Sequence, residues 1–194
     1  DMSSNKTFLA SSFFSSCFND YTIYDKFLKP SITNYKSKNM LVYKIKGNPN
    51  ETAKIAISQL YKSFYKIKRK YKLNSSPTHA KWIRAYELPK DDWIGKFAIE
   101  LNDSINSLPD FVENKSQFLT IEKWGAEDYA EILHIGNYNS INSTSINLEI
   151  FVSQSGYVIN GFHEEVYIKG PGIFFNGNPQ KYITLIRYPV RKIN

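Results

Sequence analysis

NMLVYKIKG (39–47) alternates apolar and polar side chains and stops at Gly47-Asn48-Pro49. Alternation marks a strand with one covered face, and a Gly-Asn-Pro stop is turn chemistry. Asn50 is placed as an N-cap with Glu51 just inside, and Ala53, Ile57, Leu60, Phe64, Ile67 and Tyr71 then recur at three- and four-residue intervals. That spacing predicts an amphipathic helix over 51–72. NSSPT (74–78) breaks it, and two further strand-like runs follow, AKWIRAYE (80–87) and WIGKFAIEL (93–101), joined by LPKDD. The unit reads β-α-β-β.

Working outward, the same order returns. After a polar stretch with a proline, NDSINSLPDFVENKSQ (102–117), EDYAEILHIG (127–136) reads as a strand and INSTSINLEIFVSQSG (141–156) as a helix that exits at Gly156. FHEEVYIKG (162–170) and KYITLIRYPV (181–190) are strands separated by a Gly/Pro-punctuated loop. A repeated element order decides architecture before any single residue does. The expected fold is α+β, two tandem βαββ repeats related by a pseudo-twofold around a central ligand cleft, with each helix covering one face of its sheet. Repeat one spans 39–101, a linker 102–117 and repeat two 118–192. Residues 1–38 form an N-terminal extension without a clear period.

Composition narrows the function. The formal charge of +7 is concentrated in KSFYKIKRKYK (62–72), where the lysines interleave with Phe64, Tyr65, Ile67 and Tyr71. This is the solvated side of a packed helix, with cations near its C-terminal end where they suit the helix dipole. No element that reads nucleic-acid bases accompanies it, so no specific nucleic-acid partner is expected. Cys17 is the single cysteine, which rules out an internal disulfide and argues against a cysteine metal site. The three histidines, His79, His134 and His163, lack ligand spacing, so neither a metal nor a cofactor is expected. No stretch approaches the roughly 20 apolar residues of a membrane span. TFLASSFFSSCF (7–18) is short and serine-broken, so the chain is expected to be a stand-alone cytoplasmic protein, with a signal remnant or a lipid on Cys17 as the alternative.

Aromatic residues make up 15% of the chain, with 14 Tyr and 13 Phe. Successive strand side chains point to opposite faces. With Val166 and Ile168 packed under a helix, His163, Glu165 and Tyr167 face the cleft. With Ile83 and Ala85 packed likewise, Trp82, Arg84 and Tyr86 join them, and Trp93 and Phe97 share one face of the next strand. Trp, Tyr and Phe around one carboxylate suit a cationic or polar-aromatic ligand through cation–π contacts and charge pairing. The same residues also fit a purely structural reading, with Trp82 and Trp93 in the core and Glu165 satisfied by tyrosine hydroxyls. His134 reads as a structural strand histidine, and Glu164 and Glu131 as exposed.

AEILHIGNY (130–138), SGYVINGFHEEVYIKGP (155–171) and TLIRYPV (184–190), with fainter support from MLVYKIKGNPN (40–50) and DDWIGKFAIEL (91–101), resemble the GyrI-like small-molecule-binding family. That family includes effector domains of multidrug-sensing regulators and stand-alone proteins, some of them hydrolases of strained cyclopropane-bearing compounds. The resemblance covers residues 39–192. It implies that Glu165 is the central strand acid that contacts bound cations and that Tyr167 is its neighbouring tyrosine. Lys169-Gly170-Pro171 departs from the family's acidic-proline turn, and the helix after Tyr138 is unusually serine-rich.

Three functions fit these residues: a module that senses or sequesters a small amphipathic or cationic ligand; a hydrolase in which Glu165 deprotonates a water and Tyr167 donates to the leaving group; and a protein inhibitor acting through its surface. A carboxylate beside an aromatic wall serves both of the first two. Ligand identity and oligomeric state are open at this point.

Overall fold

The computed structural model describes residues 21–83, 88–114, 117–171 and 177–193. Its strands are β1 (Ser31–Asn34), β2 (Lys38–Lys46), β3 (Thr78–Trp82), β4 (Ile94–Glu100), β5 (Leu119–Trp124), β6 (Asp128–Ile135), β7 (Tyr157–Ile159), β8 (His163–Lys169) and β9 (Ile183–Lys192). The long helices are α1 (Pro49–Tyr71) and α2 (Ile141–Gln154), and a 3-10 turn spans Tyr21–Phe27.

All nine strands belong to one antiparallel sheet, in the order β1-β6-β9-β8-β3-β4-β2-β5, with β7 on β9. This order is a palindrome about the β3–β8 contact. Each expected β-α-β-β unit is present, β2-α1-β3-β4 and β6-α2-β8-β9, with β7 added to the second. The halves therefore join edge to edge through β3 and β8, and their sheets do not stack face to face.

The outer strands are exchanged between the halves. β1 leads into β2 but pairs with β6, while β5 leads into β6 but pairs with β2. Residues 31–46 and 119–135 stay in one register from Ser31↔Glu131 through Asn34↔Asp128 and Lys38↔Trp124 to Tyr43↔Leu119. Where they cross, the Tyr35 N–H donates to the Glu127 carbonyl at 3.1 Å. Gly125 makes the crossing possible: it has φ +90°, and a Cβ there would lie 2.7 Å from the Lys36 carbonyl oxygen. A strand thus lies in the stretch read as an extension, and another opens repeat two, where the sequence reading placed none before residue 127. SITN (31–34) carries one apolar residue, and LTIEKW (119–124) buries only its two ends, so neither alternates clearly.

Both helices lie on the same face of the sheet. α1 buries Ala56, Leu60, Phe64 and Ile67 against Leu41, Tyr43, Ile45, Ala80, Phe97 and Ile99. α2 buries Ile141, Leu148 and Val152 against Ala130, Ile132, Ile186, Tyr188 and Val190. Full burial of a Leu, Phe or Ile is worth about 1.5–3 kcal/mol each. α1 begins at Pro49 rather than after Asn50, since the Asn48 carbonyl already accepts from the N–H groups of Glu51 and Thr52 at 3.0 Å. Proline suits that first position because its missing N–H would have no helical partner. Tyr71, placed on the packed face by its spacing, is exposed beside Phe111.

The opposite face carries a second core. Val166 and Leu185 pack with Phe27, and Ile168, Leu133 and Tyr24 lie against them. Met40, Val42, Ala98 and Trp124 form a neighbouring cluster. Among the described residues no helix is long and apolar enough to cross a membrane.

Candidate functional site

Residues directly opposite on antiparallel strands point the same way. Ala80 pairs with Glu165, Glu165 with Ile186, and Ala80 with Phe97. Glu165 is therefore on the helix-bearing face. The strand-parity premise is corrected here: Val166 and Ile168 do need cover, but the 3-10 turn supplies it, not a helix. The strand is buried on both faces, and Glu165 lies between α1 and α2.

The register also locates the pseudo-twofold. Matching Gly47 with Gly136 at the ends of β2 and β6, and following the pairing inward, brings Ile99 onto Tyr188, Thr78 onto His163, Ala80 onto Glu165 and Trp82 onto Tyr167. The Ala80–Glu165 pair falls on the axis. The pairs Thr78–Tyr167 and Trp82–His163 flank it.

At the axis the carboxylate is held from both sides. Glu165 is 6% exposed and His163 5%. Tyr167 donates its hydroxyl to Glu165 Oε2 at 2.6 Å, and His163 Nε2 lies 2.9 Å from Oε1. His163 Nδ1 meets the Tyr188 hydroxyl at 2.9 Å, and that hydroxyl donates to Glu149 Oε1 of α2 at 3.0 Å. A chain of polar groups thus runs from the buried acid to the exposed helix surface. From α1, the Tyr61 hydroxyl reaches Thr78 Oγ1 at 2.7 Å, in the row that contains Tyr167.

Aromatic rings form the walls. Tyr138, just ahead of α2, packs edge-on to Tyr167 with centroids 5.7 Å apart and tilts against Tyr182 at 5.3 Å. Burial, with Tyr182 and Glu165 nearby, pushes the Tyr138 hydroxyl up to about 12, so it stays a donor. On the first-half side Trp82 meets both Trp93 and Phe97 edge-on at 5.8 Å. The Trp82 ring lies across Gly95, where a Cβ would come within 2.9 Å of it. Of the residues expected at the site, Glu165, Tyr167, His163, Trp82 and Phe97 share one face of the central strands, and Trp93 touches Trp82. Phe97 is part of the α1 core. Tyr86 and Arg84 lie outside the described residues. Sequence reading missed Tyr138, Tyr182, Tyr188 and Glu149. The first two sit at element ends where parity says nothing, and the last two are brought in by β9 and α2.

His134 is structural, with Nδ1 2.8 Å from Thr144 Oγ1 and Nε2 3.0 Å from the Asn137 carbonyl. Two cavities of about 290 and 410 Å³ lie away from Glu165, beside Lys62 and Lys66 of α1 and beyond the α1 C-terminus. Among the described residues no group of three His, Cys, Asp or Glu side chains is placed to hold a metal.

The other face of β8 corrects a second expectation, because Glu164 and Glu131 are fully buried. Glu164 pairs with Arg187, with His79 Nδ1 at 3.0 Å and with Lys81 Nζ at 3.7 Å. Arg187 also faces Glu131 at 3.7 Å and lies over the rings of Tyr129 and Tyr35. Burial works to raise the Glu164 carboxyl, but Arg187, His79 and Lys81 outweigh it and hold it at about 2. Burial pushes Glu131 up and His79 and Lys81 down.

No family model and no curated protein matches the sequence. Solved structures do share the fold. An uncharacterised conserved protein from Listeria innocua is 19% identical, with a TM-score of 0.70 over 89% of this chain and 97% of that one. A hydrolase from Listeria innocua is 18% identical, with a TM-score of 0.70 over 89% and 96%. The EcmrR C-terminal domain is 16% identical, with a TM-score of 0.63 over 85% and 98%. Likeness at this identity establishes fold, and function has to come from the site.

Proposed function

We propose that this chain, which has the GyrI-like effector-binding fold, binds a small aromatic organic cation at Glu165, as a sensing or sequestering module. One observation carries the reading: a single carboxylate stands on the pseudo-twofold axis, buried between two helices and walled by Trp82, Tyr138 and Tyr167. A buried carboxylate gains from a cationic partner, and ring faces add cation–π attraction. The EcmrR likeness is in keeping with an effector-binding domain, and one neighbour is an EcmrR–DNA complex, 18% identical, of whose chain 68% is covered. Titration with N-methylquinolinium and its neutral isostere 1-methylnaphthalene tests the reading. The cation is expected to bind more tightly, and equal affinities would refute it.

A second reading has its own support in the short Tyr167–Glu165 bond. A carboxylate that can take a proton from water, beside a hydroxyl that can donate to a leaving oxygen, is a hydrolytic pair. Under that reading Glu165→Gln abolishes turnover and leaves substrate binding nearly intact.

A further inference from the structure

The Glu149–Tyr188–His163–Glu165 chain has three links, and each needs one hydrogen. Tyr188 uses its only proton on Glu149. The link from Tyr188 to His163 then takes a proton on Nδ1, because the phenol oxygen must accept. The third link, His163 Nε2 to Glu165 Oε1 at 2.9 Å, also needs a proton. A neutral imidazole has already given its one hydrogen to Nδ1. Two facing acceptors at 2.9 Å would repel, so the intact chain holds one proton more than a neutral His163 and two ionised carboxylates supply.

Burial decides where that proton sits. Glu149 is exposed and its carboxylate is solvated, whereas Glu165 and His163 are buried. An unpaired charge is costly only at the buried end. Tyr167 already donates to the other Glu165 oxygen. The groups that the described strands place opposite or beside the pair bring no charge: Thr78, Ala80 and Trp82 from β3, Tyr138 ahead of α2, and Ile186 from β9. Among the described residues, His163 is the one basic side chain paired with Glu165.

We propose that this site is a proton–cation exchanger: His163 and Glu165 share one proton in the free protein, and an organic monocation binds by displacing it. The balance is one cation in and one proton out. The Glu165 carboxylate exchanges the shared proton for the cation, the His163 Nε2 link to Glu165 opens, His163 becomes a neutral imidazole that keeps Nδ1–H toward Tyr188, and the proton leaves to buffer. This makes His163 the specificity-determining residue. It neutralises Glu165 when the site is empty and so sets what a ligand must bring, which is a full positive charge. The inference rests on the cation-binding reading above.

Calorimetric titration of the whole protein with N-methylquinolinium, which carries no titratable proton, tests the exchange in buffers of different ionisation enthalpy. The expected result is one proton released per cation bound, with affinity rising up to about tenfold per pH unit while the proton is held. In His163→Gln the cation is expected to bind without proton release. Nitrogen and carbon NMR of the ligand-free protein gives a second readout, in which His163 and Glu165 are expected to hold one proton between them. Cation binding without proton release in the unmodified protein overturns the exchange and leaves the binding reading standing. An ionised Glu165 beside a neutral His163 in the free protein overturns it whatever binds. Failure of the cation to bind removes both.

Discussion

The two halves have the same strands in the same order but different contents. Where the second half has Glu165, His163 and Tyr167 on the helix face, the first has Ala80, Thr78 and Trp82. Where the second has Glu131 and Arg187 on the other face, the first has Val42 and Ala98, both fully buried hydrocarbon. Their helices differ too, with 23 residues in α1 and 14 in α2. The first half is a conventional packed core. The second holds buried charge, which is stable only while each charge keeps its partner. Departure from internal symmetry therefore marks the site more sharply than any single residue type. The position on the axis is itself asymmetric, alanine against glutamate.

The comparison can be broken by perturbing each half where it is strongest. Arg187→Met leaves Glu164 and Glu131 buried without their shared cation, and should cost about 3–5 kcal/mol in urea unfolding. A loss under 1 kcal/mol would mean that the buried network contributes little. Leu60→Ala, in the fully buried stripe of α1, should cost about 2–5 kcal/mol. It should leave the preference for cation over isostere intact, because the Leu60 side chain supplies packing and not the carboxylate that selects the cation. A lost preference in that variant would contradict the division.

Acidification should weaken the buried ion network that joins the two halves in two stages. His79 is held below its ordinary value of 6.5, chiefly by burial, so protonating it favours the unfolded chain and stability declines as pH falls below about 6.5. Glu164, at about 2 against an ordinary 4.5, contributes stability that is complete above about pH 4.5 and is lost as pH falls toward 2. Glu131 is raised and offsets part of the second stage, since it gains its proton more readily when folded. Thermal melts from pH 8 to 3 should show the decline. A melting temperature that rises on acidification from pH 7 to 4 would count against it.

The elements that carry hydrophobic period were legible in the sequence: β2, α1, β4, β6, α2, β8 and β9 lie within a few residues of their expected bounds. β1 and β5 were not, because each pairs with the other half and is stabilised by a neighbour far away in sequence, Glu131 for Ser31 and Tyr43 for Leu119. Local pattern holds no trace of that. Alternation put His163, Glu165 and Tyr167 of β8 on one face, although the faces were assigned the wrong way round. HEEVYIK is buried on both sides, so parity separates its residues into two sets without saying which set meets a helix. Glu164 and Glu165 look alike in sequence. Only their partners separate them: Glu164 meets Arg187 and His79 from the neighbouring strands in an ion network, whereas Glu165 meets Tyr167 and His163 of its own strand.

The cation preference in Glu165→Gln tests the central claim most directly. Glutamine keeps the size and hydrogen-bonding reach of the side chain and removes its charge. Affinities for N-methylquinolinium and 1-methylnaphthalene should be measured by equilibrium titration in both proteins. Binding of the cation should weaken by about 1–3 kcal/mol, the usual scale for a hydrogen bond to a charged group, while the neutral isostere changes much less. An unchanged ratio of the two affinities would make Glu165 a structural residue and contradict the assignment of this site.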